Sequence, residues 1–157
     1  MNERIIKPPT PHKKYPFDTV VFLAGSIEMD TAVNWQKKAE QHILQYKNHI
    51  VLNPRRDDWD SSWTQSIDNF NFNEQVTWEL DGLEKFANII LFHFEPDTKS
   101  PITLMELGLM APRHQKDKEL FVSCPEGFWR KGNVDILCKR YDIKVYNSLD
   151  ELLQNVF

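Results

Sequence analysis

Glu106 stands among apolar residues in the stretch "SPITLMELGLMA", residues 100–111. Taking an ionised carboxylate out of water is costly unless it finds a partner, and a sheltered carboxyl has a raised pKa. Beside the anomeric carbon of a sugar, such a carboxylate can act as a nucleophile and form a covalent glycosyl–enzyme ester. The alternative is a structural glutamate that is satisfied by a backbone donor or an arginine.

A second set of carboxylates lies in "TWELDGLEKFA", residues 77–87. Helical spacing turns Leu80 and Leu83 towards the core, so Glu79 and Asp81 flank the apolar stripe. A carboxyl in that position could serve as a general acid or base. The alternative is an ordinary solvated helix face.

Small residues end the first apolar run, in "FLAGSI" at residues 22–27. Gly25 and Ser26 would let a ligand approach the backbone closely. The stretch matches neither the dinucleotide fingerprint nor the phosphate-binding P-loop. It could equally be a simple tight turn.

Residues 53–63, "NPRRDDWDSSW", combine arginines, aspartates and tryptophans at a predicted strand end. Aromatic faces stack on planar heterocycles, and Asp or Arg can read their edges. We therefore take Arg56, Asp58 and Trp59 as candidate ligand contacts. The alternative is a solvated loop held by salt bridges.

Short apolar runs alternate with segments of helical period, which predicts a parallel sheet covered by helices on both faces. Strands are expected at residues 18–25, 49–54, 88–94, 118–124 and 143–147, and helices at 31–46, 73–87, 102–111, 133–141 and 148–157. Ser100 is expected to cap the third helix, with Pro101 at its first position. The prediction is a five-stranded, doubly wound α/β fold of flavodoxin-like order. Ligands bind such sheets at the carboxyl ends of the strands.

The 157 residues predict one α/β domain at 17–157, preceded by a flexible arm or an extended strap at 1–16. A net charge of -4 argues against a nucleic acid polymer as partner. The two cysteines show no metal-binding spacing, which indicates reduced thiols in a cytoplasmic protein without a metal. The sequence shows no signal-peptide core and no apolar run of the ~20 residues that a membrane span requires.

In order and spacing, "FLAGSI", "NPRRDDW", "WEL", "SPITLMELG" and "EGFWRKGNV" resemble the nucleoside 2-deoxyribosyltransferase family over about residues 18–146. The resemblance implies that Glu106 is the nucleophile that forms a deoxyribosyl–enzyme ester. It also implies that Glu79, where many relatives have Asp, is the second catalytic acid. Asp81 is the alternative if the register is shifted.

The same resemblance implies transfer of 2-deoxyribose between nucleobases with net retention. The partners are then a small deoxynucleoside and a free nucleobase, and neither a metal nor an organic cofactor is needed. Ser100 stands where many relatives have an aspartate that holds the sugar hydroxyls. Asn133, in "KGNV", matches an asparagine that a neighbouring subunit supplies, which implies at least a homodimer. The segments "AGSI" and "RRDDW" would contact the base.

Two alternatives to transfer remain open. A hydrolase that cleaves nucleoside or nucleotide N-glycosidic bonds could share the fold and the covalent intermediate. For a nucleotide it would need a phosphate pocket, with Ser26, Arg55 or Arg56 as candidates. A non-catalytic nucleotide-binding module would keep the fold without the chemistry. The choice between purine and pyrimidine depends on residues 55–70, whose fold the sequence does not predict.

Overall fold

The computed structural model describes residues 2–27 and 34–157. The described part forms one parallel sheet with helices on both faces. The strands are β1 (Ile5–Ile6), β2 (Thr19–Gly25), β3 (His49–Leu52), β4 (Ile89–His93), β5 (Glu119–Ser123) and β6 (Lys144–Tyr146). The helices are α1 (Trp35–Ile43), α2 (Phe70–Asp81), α3 (Pro101–Met110), α4 (Lys131–Arg140) and α5 (Leu149–Val156).

The strand order is β1-β3-β2-β4-β5-β6. Without β1 this is the flavodoxin-like order, so the predicted fold class is confirmed. The sheet has six strands rather than five because Ile5 and Ile6 pair in parallel with Val51 and Leu52. A two-residue edge strand in a segment rich in lysine and proline leaves no apolar run to detect.

Strand β2 illustrates how the sheet separates two hydrophobic cores. Its successive side chains point to opposite faces. Val20 and Phe22 join the core beneath α2, α3 and α4, whereas Val21 and Leu23 join the core beneath α1 and α5. Both faces are covered, so the strand is apolar throughout, as expected for a parallel sheet.

Several helix boundaries differ from the predicted ones. Helix α1 ends at Ile43 rather than at residue 46, and α4 begins at Lys131 rather than at residue 133. Helix α2 begins at Phe70 rather than at residue 73, because the Asn69 side chain accepts a hydrogen bond from the Phe72 amide at 3.0 Å and caps the helix. A π-helical turn, Gly82–Phe86, continues it to the start of β4. Helix α1 is described from Trp35, and the first residues of its predicted range, 31–33, lie outside the described residues.

Helix α3 begins as predicted, with Ser100 at the N-cap and Pro101 at the first helical position, but Ser100 does not cap it through its side chain. Its φ angle of 47° lies in the left-handed region, which non-glycine residues seldom adopt. The hydroxyl is directed instead towards the end of β2. None of the helices in residues 2–27 and 34–157 has the length and apolar character to cross a membrane.

Candidate active site

Glu106 lies on α3 with only 6% of its surface exposed. Thr103, Leu107 and Met110 share the buried face of the helix, which packs on the sheet. The opposite face is apolar yet exposed, and it consists of Ile102, Met105 and Leu109. Glu106 therefore lies at the boundary between the core and an uncovered hydrophobic stripe.

The partner of Glu106 is a second carboxyl group, that of Glu79 on α2. The two side chains are hydrogen-bonded to each other. Burial, followed by the charge of Glu79 and the hydrogen bond to it, raises the pKa of Glu106 well above its ordinary value. Burial also raises the pKa of Glu79, to about 7. Two carboxyl groups in contact titrate as a pair, and this pair retains a shared proton near neutral pH.

Gln75 holds Glu79 from the preceding turn of α2. Its side-chain amide donates to Oε1 of Glu79 at 2.5 Å and to the carbonyl of Pro54 at 3.0 Å. Gln75 is buried, and its own Oε1 has no hydrogen-bond partner within the described parts of the chain. The residue therefore joins α2 to the chain that leaves β3.

Asp81, the alternative second acid, points elsewhere. Its carboxylate forms a salt bridge with Lys85 one turn later, with an Nζ–Oδ1 distance of 2.7 Å. Its side chain is 35% exposed, so the pair with Lys85 lies at the surface. The carboxyl group that meets Glu106 is that of Glu79.

A cluster of hydroxyl groups lies at the amino end of α3. Ser26, Thr98 and Ser100 are all buried there. Oγ of Ser26 lies 2.8 Å from Oγ1 of Thr98 and also contacts Oγ of Ser100. Thr98 and Ser100 are joined at 2.7 Å, and the amide of Glu95 donates to Ser26. The carboxyl end of β2, the β4–α3 loop and the first turn of α3 thus converge on uncharged polar groups, which we call the hydroxyl cluster.

His93 fixes the start of the same loop. Its Nδ1 lies 3.0 Å from Oγ of Ser123, and its Nε2 lies 2.8 Å from Oε1 of Glu95. The hydrogen bond from His93 lowers the pKa of Glu95, so that carboxylate is ionised. Ser123 is fully buried, so this arrangement braces the loop and does not present a nucleophile.

Gly25 has a packing role that the sequence did not indicate. A Cβ atom at this position would overlap the indole ring of Trp35 and the carbonyl of His93. The indole Nε1 donates to the carbonyl of Ser26 at 3.1 Å. A larger residue at position 25 would therefore displace the chain that carries Ser26.

The loop of residues 53–69 contains the proposed base contacts, and Arg56 is directed back into it. Its guanidinium pairs with Asp58 at 2.7 Å and with Glu74 at 3.5 Å, and it lies 4.9 Å from the ring of Trp63. Only 5% of the Arg56 side chain is exposed. Asp58 and Trp59 are exposed, and Trp59 packs edge-on against Trp63.

Asn133 lies on a different helix from Glu106. It is exposed on α4 and borders the groove between α3 and α4 beside Leu104. Leu104 and Glu106 are two positions apart on α3, which places them about 160° apart around the helix axis. The described parts of the chain, 2–27 and 34–157, contain no cluster of three His, Cys, Asp or Glu side chains suited to a metal.

Sequence reasoning missed Gln75, although it stands four residues before Glu79 and so on the same face of a helix. It also missed Thr98, which joins Ser26 to Ser100. Both residues contact side chains that the sequence had singled out. Their roles depend on which atoms the fold brings together, and a residue type alone does not provide that.

A family model described as "Nucleoside 2-deoxyribosyltransferase like" matches residues 18–128, more than half of the chain. The matched range runs from the start of β2 to just before α4 and includes the carboxyl pair and the hydroxyl cluster. A search of curated proteins found no match.

Proposed function

Since the chain belongs to the nucleoside 2-deoxyribosyltransferase-like family, we propose that it transfers 2-deoxyribose between nucleobases, with Glu106 as the nucleophile. The observation that carries this proposal is the hydrogen-bonded pair of Glu106 and Glu79. A pair that shares one proton provides both a carboxylate to attack the sugar and an acid to protonate the departing base.

The proton balance of the reaction matches the pair. An oxygen of Glu106 forms a bond to C1' of the deoxynucleoside while the bond from C1' to the base nitrogen breaks. The electron pair of that bond leaves with the base, and the shared proton neutralises it through Glu79. A second base then attacks C1' from the side that the first one left. The ester bond between C1' and Glu106 breaks, the carboxylate of Glu106 takes the electron pair, and the incoming base returns its proton to the pair. Two displacements at one carbon give net retention.

In this proposal the substrate contacts come from the hydroxyl cluster, the end of β2 and the loop of residues 53–69. Ser100 holds a sugar hydroxyl from the hydroxyl cluster, and Gly25 and Ser26 border the base at the end of β2. Asp58 and Trp59 provide an exposed edge and an exposed aromatic face for it. Arg56 acts by holding this loop together, because its guanidinium forms ion pairs with Asp58 and Glu74.

Hydrolysis of a nucleotide is a second candidate, and the hydroxyl cluster favours it. Neutral hydroxyl groups at the amino end of a helix suit a phosphate better than a carboxylate would, because that end of a helix carries partial positive charge. In this reading Ser26 and Ser100 would bind the 5'-phosphate, and water would replace the second base. The covalent step at Glu106 would be the same.

A second copy of the chain completes the site in this proposal. Ile102, Met105 and Leu109 form an exposed apolar stripe next to Glu106, and Ile136 on α4 is 72% exposed. Association through these faces would remove apolar surface from water. In this proposal it would also bring Asn133 of one protomer close to Glu106 of the other.

The shared site can be tested by mixing two inactive variants. Asn133→Ala and Glu106→Ala would each lack one member of the site. Co-refolded together, they would form mixed dimers with one intact site, and activity would return to about one quarter of the wild-type value for random pairing. Activity that stays absent in the mixture, with both variants folded, would contradict the shared site.

The function is tested by incubating the protein with a 2'-deoxynucleoside and a different free base and separating the products by chromatography. A new deoxynucleoside, absent with Glu106→Ala, supports transfer. Free base and deoxyribose alone would favour hydrolysis, and deoxynucleoside monophosphates would then be compared as donors. Ligand binding without turnover of any donor would indicate a binding module.

A further inference from the structure

Gln75 contacts the carboxyl group of Glu79, and through that group it can influence the proposed reaction without touching the substrate. It is 4% exposed on α2 and donates two hydrogen bonds through Nε2. One goes to the carboxylate oxygen of Glu79 and the other to the carbonyl of Pro54. Pro54 immediately precedes the arginines of the loop that carries the proposed base contacts.

The orientation of the Gln75 amide follows from its partners. The carbonyl of Pro54 can only accept a hydrogen bond, so the NH₂ group must face it. The same NH₂ group then faces Glu79. If the Gln75 amide were rotated by half a turn, its oxygen would face the Pro54 carbonyl, and two hydrogen-bond acceptors would then lie opposite each other. The carboxyl group of Glu79 therefore receives an N–H on the oxygen Oε1.

We propose that Gln75 is a positioning residue for Glu79, which fixes the orientation of its carboxyl group and ties it to the start of the loop at residues 53–69. The inference rests on the proposed function, because orientation of Glu79 matters only if that group delivers a proton. With Oε1 held by Gln75, the proton shared with Glu106 is directed to the remaining oxygen of Glu79. The proton-delivering group and the beginning of the base-contacting loop then form one rigid unit.

The pKa values agree with this geometry. The hydrogen bond from Gln75 lowers the pKa of Glu79 and so opposes the effect of burial. The ionisable groups on the elements around α2 include Glu106 on α3, Arg56 in the loop and His12 before β2. Among these, only Glu106 also affects the pKa of Glu79.

The test replaces Gln75 with methionine, which has a similar length and no hydrogen-bond donor. The side-chain carboxyl carbons of ¹³C-labelled glutamate are followed by NMR during a pH titration. Loss of the donor should raise the lower pKa of the carboxyl pair by about one pH unit. The control is Gln36→Met, which removes another fully buried glutamine, one that accepts from Arg55 at 3.3 Å, and should leave that titration unchanged.

Kinetics provide a second measurement. In Gln75→Met the pH optimum of product formation should move upwards and kcat should fall by about tenfold, with a smaller change in KM. If the methionine variant does not fold, Gln75→Asn takes its place, because the shorter amide cannot span both acceptors. A carboxyl titration that coincides with the wild-type one in the folded variant would overturn the proposal. The titration needs no turnover, so an inactive wild-type protein would refute the proposed function without deciding the role of Gln75.

Discussion

The carboxyl pair and the hydroxyl cluster are two buried polar centres, one reached from the second turn of α3 and one at its N-cap, and they differ in charge. Glu79 and Glu106 retain a proton that they can give up, and their pKa values are raised by burial. Ser26, Thr98 and Ser100 have no charge to lose and satisfy one another through hydrogen bonds. In the proposed mechanism the carboxyl pair moves a proton and so must stay titratable, whereas the hydroxyl cluster only binds a ligand and can be neutral.

The two centres also differ in what they contribute to folding. A buried carboxyl pair lowers stability once its shared proton is lost, because a desolvated charge is left beside another. The mutually bonded hydroxyl groups avoid that cost at any pH near neutrality. A change in pH near neutrality should therefore affect stability and the proposed catalysis through the carboxyl pair, and it should leave the hydroxyl cluster unaffected. Substitutions in each centre can therefore test whether the two have separate tasks.

The largest effect is expected for Glu106→Gln. Removal of the proposed nucleophile should lower the rate of transfer by more than about 10³-fold. The raised pKa of Glu106 means that the folded state binds more protons than the unfolded chain, so its stabilising effect is present below the ordinary pKa and is lost as the pH rises through the raised one. Glutamine cannot ionise, so the variant should unfold at a temperature higher by roughly 3 °C at pH 8, and by less at pH 5.

Calorimetry at both pH values checks the stability prediction for Glu106→Gln. The matched control is Glu126→Gln, since Glu126 is an exposed glutamate in the loop after β5. It should change neither midpoint. A Glu106→Gln protein that is less stable than the wild type at pH 8 would mean that the buried carboxylate is held by favourable contacts and is not a strained, titratable group.

The next effect concerns Glu79→Gln, which removes the proposed acid and keeps the proposed nucleophile. With an ordinary purine deoxynucleoside, the rate should fall by about 10²–10⁴-fold. With 7-methyl-2'-deoxyguanosine the fall should be much smaller, because its base already carries a positive charge and departs without a proton. The rates with both donors are measured by product chromatography. If Glu79 protonates the departing base, the loss in rate should be much larger with the ordinary donor than with the charged one.

Asp81→Asn provides the comparison for Glu79→Gln, because it removes a carboxylate two residues away. Asp81 is paired with Lys85 at the surface, so both donors should react within about twofold of the wild-type rate. Equal losses with both donors in Glu79→Gln would show that Glu79 does not act as an acid. A larger loss in Asp81→Asn would transfer the role to that residue.

The sequence predicted the strands well because a doubly covered parallel sheet needs continuous apolar runs, and β2 and β4 show them in full. It singled out Glu106 because a carboxylate among apolar residues is conspicuous, whereas the choice of Glu79 over Asp81 came from the family resemblance and not from the helix pattern. It did not predict β1, which is two residues long and is held by its pairing with β3. Nor did it predict that α2 begins at Phe70, an exposed aromatic residue after what looked like an irregular loop.

The part of the site that the sequence missed depends on tertiary contacts. Serine is a residue type typical of an N-cap. The positive φ angle of Ser100, however, turns its hydroxyl away from the helix and towards Ser26. Gln75 looks like any polar residue of a surface helix until Pro54 is brought next to it. Hydrogen bonds between residues distant in sequence are determined by the fold, so periodicity and local propensity contain no record of them.

The smallest and most selective effect is expected at Ser100, and it sharpens the contrast between the two centres. Ser100→Asp and Ser100→Asn have side chains of almost equal shape, and both residue types tolerate the left-handed backbone at this position. The pair therefore differs in one charge. If the hydroxyl cluster binds a sugar hydroxyl, Asp should support transfer from a deoxynucleoside at least as well as Asn. If it binds a 5'-phosphate, Asp should lower kcat/KM for a deoxynucleoside monophosphate by about tenfold or more relative to Asn, because like charges repel strongly in a buried site.

Both variants at position 100 should keep the pH optimum of the wild type, since neither touches the pair of Glu79 and Glu106. An optimum that shifts in Ser100→Asp alone would mean that the two centres are electrostatically coupled, and the separation of proton transfer from recognition would then be wrong.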